Sequence, residues 1–329
     1  MPLNNLSVPR KTRRIIGYDL SALSGRLAGI VPITCDAGSP VVRGWWGTIS
    51  YDRPMTARLA RPLSPGHSHY PVSEPDVVET ATGWLDRGDG VELAWVRQPG
   101  SNPTVVFLPG FRSAMSGQKA TALAAFCAER GVGMFRFDYS GHGASRGRFD
   151  DGTIGRWTDE ALAMIDRLTA GPLVLVGCSM GVWIALLVAL VRRERVAALI
   201  GVAAAPDFTE TLIWSSMSFG QRFELMHHGV LDMPSRYGGP YRLTRGLIED
   251  GRTRLLLNTP IALECPVRLL HGQHDPDVPW EMALRIAEQL TSQDVQVVLV
   301  KDGDHRLSRP QDLALLRRTL AALLSQDSA

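Results

Sequence analysis

Lysine is almost missing from this 329-residue chain: Lys11, Lys119 and Lys301 are the only three. None closes a glycine-rich loop of the Walker type, and no Gly-x-Gly-x-x-Gly follows a strand-like run, which removes the usual phosphate- and dinucleotide-binding signatures. Cysteine is sparse as well. Cys35, Cys127, Cys178 and Cys265 lack metal-ligand spacing and form no disulfide framework, so they read as reduced thiols. Charge of one sign is not in excess: 35 Lys+Arg against 33 Asp+Glu leave a net +2, which gives no reason to expect nucleic acid as a partner. Apolar runs are short, none reaching the roughly 18 residues of a membrane span. Near the N-terminus there is a weak apolar patch at 27–34, and Pro32 and Asp19 interrupt a signal-peptide reading of that region.

Residues 1–75 also have few acids and no sustained period, and they carry Pro54, Pro62, Pro65, Pro71 and Pro75. They are expected to be a poorly ordered leader or extension, although Trp45 and Trp46 are unusual in such a segment. Arg10, Lys11, Arg13 and Arg14 open two readings: a cytoplasmic protein with an extended start, or a mitochondrial transit peptide. Oligomeric state leaves no trace in the sequence.

What is present is a hydrophobic content of 45%, enough for a sizeable core. Residues 76–329 are expected to form one α/β domain. Strand-like runs at 78–85 and 91–96 flank Asp86-Arg87-Gly88-Asp89-Gly90, a hairpin signature. Further strands are expected at 104–108, 133–137, 173–176, 197–202, 267–271 and 295–300. Helices are expected at 117–130, 154–168, 182–193, 280–290 and 311–324. Such alternation means a mostly parallel sheet with flanking helices. Residues 207–260 break it. They hold no strand-like run and are rich in large apolar side chains, so they are expected to form a helical cap over one sheet edge.

The chemistry gathers at Gly177-Cys178-Ser179-Met180-Gly181, which follows the apolar run 173–176 and precedes a helix-like segment. This is the nucleophile-elbow pattern in its strand–turn–helix setting, with Ser179 raised at the strand tip. A serine hydroxyl needs a base, and the base needs an orienting acid. In this architecture acid and then base follow the serine. Asp275, in His271-Gly272-Gln273-His274-Asp275-Pro276-Asp277, is the expected acid, and His305, in Lys301-Asp302-Gly303-Asp304-His305, the expected base. Asp277 and Asp207 are the rival acids. His274, His227 and His228 read as loop or surface residues, His142 as structural in a glycine turn, Asp304 as solvated or capping, and Cys178 as packing. The backbone N–H groups of Met180 and of Phe111, in Pro109-Gly110-Phe111, are the expected oxyanion donors. No cofactor and no metal is called for. Trp183, Trp214, Met217 and Phe223 are the expected substrate-binding side chains.

Longer strings carry a resemblance. Phe107-Leu108-Pro109-Gly110-Phe111-Arg112-Ser113, Met115-Ser116-Gly117-Gln118-Lys119-Ala120, Arg136-Phe137-Asp138-Tyr139-Ser140-Gly141, Val176-Gly177-Cys178-Ser179-Met180-Gly181 with Trp183, Leu269-Leu270-His271-Gly272 with Val278-Pro279-Trp280, Asp304-His305-Arg306, and Met233-Pro234-Ser235 with Tyr237 are similar to an α/β-hydrolase family. It is the family of the mitochondrial palmitoyl-protein thioesterase that also cleaves mycophenolic acid acyl-glucuronide. The likeness runs from about residue 104 to 324. It implies an α/β-hydrolase fold, the triad Ser179, Asp275 and His305, and a serine hydrolase cleaving thioesters or esters of small molecules or acylated proteins. Cys178 and Met180 depart from the small and aliphatic residues expected beside the serine, which bears on the acyl pocket. A general carboxylesterase for small esters, and a non-catalytic binding protein on a hydrolase fold, are the two other readings.

Overall fold

The computed structural model describes residues 80–236 and 239–325. The expected leader, with Trp45 and Trp46, and Tyr237 lie outside the described residues. One eight-stranded sheet organises what is described. Its strands are β1 (Ala81–Asp86), β2 (Glu92–Gln98), β3 (Ser101–Leu108), β4 (Val132–Phe137), β5 (Leu173–Cys178), β6 (Val196–Val202), β9 (Val267–Gly272) and β10 (Val295–Val300). They lie in the order β1-β2-β4-β3-β5-β6-β9-β10. The front hairpin joins antiparallel to β4, and every other pairing is parallel.

β5 sits near the middle, and all six of its residues are buried. That follows from its unbroken apolar run, because a parallel strand is covered on both faces. Leu173 and Leu175 join one core and Val174 and Val176 the other, the two-residue alternation of a strand. The first core holds the buried sides of α2 (Ile154–Leu168), α3 (Met180–Val191) and α6 (Glu281–Gln289). The second holds those of α1 (Gln118–Glu129) and α7 (Pro310–Leu324). α2 starts where Thr153 Oγ1 accepts the N–H of Arg156 at 3.1 Å, the ordinary work of an N-cap threonine.

The insertion between β6 and β9 differs from the all-helical expectation. A π-helical turn (Thr209–Trp214) and α4 (Phe219–His228) come first, then a hairpin of β7 (Val230–Met233) and β8 (Tyr241–Thr244), then α5 (Arg245–Arg252). Each strand of the hairpin has four residues, too few for alternation to register, and Pro234 and Pro240 make the connection read as loop. The insertion is tied at its neck. Asp207, at a left-handed φ of 57°, accepts the N–H groups of Leu256 (2.8 Å) and Leu257 (2.9 Å) through its buried carboxylate.

Candidate active site

Ser179 lies between β5 and α3 at φ 53° and ψ −120°, a strained conformation of the kind kept at functional sites. The flanking glycines are a packing necessity. A Cβ on Gly181 would stand 2.1 Å from the Leu108 carbonyl oxygen, and one on Gly177 would stand 2.6 Å from that of Gly181. Strand and helix therefore meet closely enough to push the serine outward. The Ser179 N–H donates to the Val202 carbonyl at 2.9 Å, which fixes the turn to β6. Gly110 brings the loop after β3 against the same turn, for its Cβ would meet the Cys178 carbonyl oxygen at 3.0 Å and Ser179 Cβ at 3.3 Å. Phe111 thus stands beside Ser179. Met180 is the first residue of α3, so its N–H has no intrahelical acceptor.

The loops after β9 and β10 meet, with His274 N–H donating to the Gly303 carbonyl at 2.8 Å. They bring Asp275 and His305 together: Nδ1 of His305 lies 2.7 Å from Oδ2 of Asp275. The Asp275 carboxylate is fully enclosed and every lone-pair direction is used. Oδ1 accepts the N–H groups of Asp277 (2.8 Å) and Val278 (2.9 Å). Oδ2 accepts from His305 and also from Nε2–H of His271, 3.1 Å away. Burial alone would favour the neutral acid, but the His271, His305 and backbone hydrogen bonds outweigh it and hold Asp275 well below the usual carboxylate range. His271 is the residue that sequence reasoning left without a role. Its imidazole is wholly buried at the end of β9, and Nε2 also faces the Val278 carbonyl at 3.1 Å. A histidine directly after the apolar pair Leu269-Leu270 and four residues before the candidate acid was the available signal.

The rival acids have other partners. Asp207 holds the neck of the insertion, and Asp277 stands 3.5 Å from Arg236. Ligand atoms of Asp275, Asp277 and His305 lie within 4.8 Å of one another, but the Asp275 oxygens already take four donors. His142 is buried, with Nδ1 against the Ser140 carbonyl, and burial lowers its pKa to about 4. Asp304 accepts the N–H of Leu307 at 2.9 Å, the capping role expected of it. The Cys178 thiol is buried and its pKa is raised by that burial.

Ser179, Met180, Phe111 and His305 share one cavity of about 520 Å³. The expected pocket side chains do not line it. Trp183 is fully buried beneath the elbow, donating Nε1–H to the Arg254 carbonyl at 3.1 Å. Met217 is packed in the core. The guanidinium groups of Arg252 and Arg222 lie over the Trp214 ring, 4.3 and 5.1 Å from its centre. Phe223 is 60% exposed and stacks on His227. Leu212 and Ile213 of the π-helical turn take their place, with Phe208, Pro234, Ser235 and Tyr241. Neighbouring residues of a helical turn point in different directions, so apolar density placed the pocket in the right segment and on the wrong side chains. The lining also carries four cations, Arg112, Lys119, Arg236 and Arg306, against Asp277.

A parallel sheet flanked by helices, with a serine elbow and an imidazole–carboxylate pair at one edge, is the layout of α/β hydrolases. The sequence model of the alpha/beta hydrolase family matches residues 105–315, and the chain belongs to that family. Within it the chain is similar to the mitochondrial palmitoyl-protein thioesterase ABHD10 of Homo sapiens, 39% identical over 250 residues, 75% of this chain and 81% of that protein. Among solved structures, the mouse alpha/beta hydrolase domain-containing protein 10 shares 38% identity at a TM-score of 0.70, covering 75% of this chain and 99% of that one. A putative hydrolase from Agrobacterium vitis S4 shares 42% at 0.71, covering 74% and 98%.

Proposed function

We propose that the chain is a serine hydrolase that cleaves carboxylic thioesters or esters through an acyl-Ser179 intermediate. The observation that carries this is the 2.7 Å hydrogen bond between Nδ1 of His305 and the enclosed Asp275 carboxylate, on a histidine that shares a cavity with the strained Ser179. With its Nδ1 proton held by Asp275, His305 offers Nε2 as the base. Ser179 Oγ attacks the acyl carbon while His305 takes its proton. The oxyanion forms toward the N–H groups of Phe111 and Met180. As the intermediate collapses, the thiol or alcohol leaves with the proton from His305. Water then repeats the sequence, and the acid leaves with Ser179 restored. The mammalian relatives are named palmitoyl-protein thioesterases, which favours a thioester substrate with a long acyl chain. Those names are mitochondrial, which favours the transit-peptide alternative over the cytoplasmic expectation. Among the described residues no helix is long and apolar enough to cross a membrane.

The test is a fluorophosphonate probe with hydrolysis of a medium-chain p-nitrophenyl ester. Wild type labels at Ser179, and Ser179→Ala loses labelling and at least about 10³-fold of turnover while keeping its circular dichroism spectrum. An unlabelled wild type, or a Ser179→Ala protein with normal turnover, leaves the non-catalytic reading or a different nucleophile.

A further inference from the structure

The cations around the cavity have no part in the chemistry just described. They come from four places: Arg112 from the loop after β3, Lys119 from α1, Arg236 from the insertion, and Arg306 from the loop after β10. Arg112 donates to the Gly239 carbonyl at 3.2 Å and lies over the Tyr241 ring. Lys119 donates to the Arg306 carbonyl and to Ser308 Oγ. Both therefore spend hydrogen bonds on neutral oxygens, and among the described residues neither forms a salt bridge. In a chain with three lysines in all, placing one at this cavity beside three arginines concentrates positive potential where substrate must enter. The apolar part of the lining, Phe208, Leu212 and Ile213, belongs to the core on the α2–α3 face. Lys119 and Arg306 sit where α1 meets the loop leading to α7. The cavity thus joins apolar surface suited to an acyl chain with cations around it: Lys119 and Arg306 toward α1 and α7, Arg112 over Tyr241, and Arg236 beside Asp277.

A hydrolase of this kind binds two halves of its substrate. Apolar surface suits the acyl half, so the basic surface falls to the leaving group. Arg236 faces Asp277 at 3.5 Å, and Arg112 and Lys119, which form no salt bridge among the described residues, add more positive charge than a single carboxylate needs. A phosphate carries close to two charges and three strong acceptor oxygens, and arginine forks match it in pairs. We propose that the cations lining the cavity select thioesters or esters whose leaving group carries a phosphate. This rests on the serine-hydrolase reading of the same site.

The test compares decanoyl thioesters of pantetheine and 4′-phosphopantetheine, which differ only in the phosphate. A second pair, decanoyl-N-acetylcysteamine and decanoyl-N-acetylcysteine, differs by a carboxylate. In low salt the phosphate pair is expected to differ in kcat/KM by about tenfold or more, and raising salt to about 0.5 M should remove most of that ratio. Arg112→Gln, Lys119→Gln and Arg236→Gln should each lower the ratio by about three-fold. The ratio is taken within one protein, so partial misfolding of a variant cancels. A phosphate ratio near one, a ratio indifferent to salt and to all three substitutions, or a carboxylate ratio as large as the phosphate ratio overturns the proposal. In each of those cases the neutral thioesters are still hydrolysed and the serine-hydrolase reading stands. If neither neutral thioester nor p-nitrophenyl ester is hydrolysed, that reading has failed and this one falls with it.

Discussion

Replacing Asp275 by Asn should cost far more activity than replacing Asp277, two residues away. The Asp275 carboxylate takes two donors on each oxygen: Asp277 and Val278 N–H on Oδ1, His305 and His271 on Oδ2. An amide of the same shape has one oxygen and one NH2 group, so in either orientation two donors face a donor. If the NH2 faces the imidazoles, Nδ1 of His305 loses its acceptor, and the tautomer with its proton directed at Ser179 becomes favourable. If it faces the backbone, the loop is pushed off both residues. Removal of the charge also withdraws what steadies the imidazolium in the transition state. The expected loss in kcat is about 10⁴-fold, or roughly 5.5 kcal/mol. Asp277→Asn loses a 3.5 Å approach to Arg236, whose side chain is mostly exposed. It leaves the Asp277 N–H that donates to Asp275 in place. A change of less than about tenfold is expected. Both variants are assayed by kcat/KM on one p-nitrophenyl ester, with thermal unfolding to show that they fold. If Asp277→Asn is the slower enzyme, the acid is misassigned and the loop argument fails.

Acyl-chain length should matter: each buried methylene adds about 0.8 kcal/mol, so two more should raise kcat/KM by up to about tenfold until the cavity is full. A p-nitrophenyl ester series from acetyl upward that is flat, or highest at acetyl, refutes the acyl pocket and leaves the small-ester reading. Gly181→Ala should fail to fold or should unfold well below wild type in a thermal melt, because its Cβ would stand 2.1 Å from backbone oxygen on β3. The Cys127 thiol, pushed up to about 12 by burial, should resist Ellman's reagent at pH 8 in the native protein and react on denaturation. Rapid native reaction at that residue would contradict its burial. Asp275 also makes stability depend on pH. Its folded pKa is depressed, so its contribution is complete above the ordinary carboxylate range and is lost as pH falls below it. Stability measured by urea unfolding should therefore fall less for Asp275→Asn than for wild type as pH is lowered from neutral through the carboxylate range, and an equal fall would contradict the depressed pKa.

Elements with a strong period were legible to the residue. α2 and β10 have the boundaries that their spacing predicts, Ile154–Leu168 and Val295–Val300. The order of strands and helices followed too, because alternating runs leave few topologies. The candidate site was readable for a different reason: Ser179, Asp275 and His305 each follow a parallel strand, and such ends share one edge. The insertion was harder. Its strands are four residues long, and its large apolar residues are divided among arginine contacts at Trp214, the core at Met217 and solvent at Phe223. Composition cannot separate those fates, which depend on which way one helical turn faces. His271 escaped because a buried histidine on a strand becomes informative only when the loop returning to it is known.

The neck of the insertion carries a consequence for how such enzymes diversify. Asp207 reaches Leu256 and Leu257 across 49 and 50 positions of sequence, so entry and exit are clasped by one side chain. Closing a flexible loop costs only about 0.6 kcal/mol more for each doubling of its length. Leu225, Leu243, Leu247 and Ile248 between the clasped ends belong to the first core and are held to the sheet, but the segments outside that core can lengthen or shorten at little cost. Selection can rewrite Leu212, Ile213, Arg236 and Tyr241 and so change the substrates admitted, while Ser179, Asp275 and His305, all outside the clasp, keep their places.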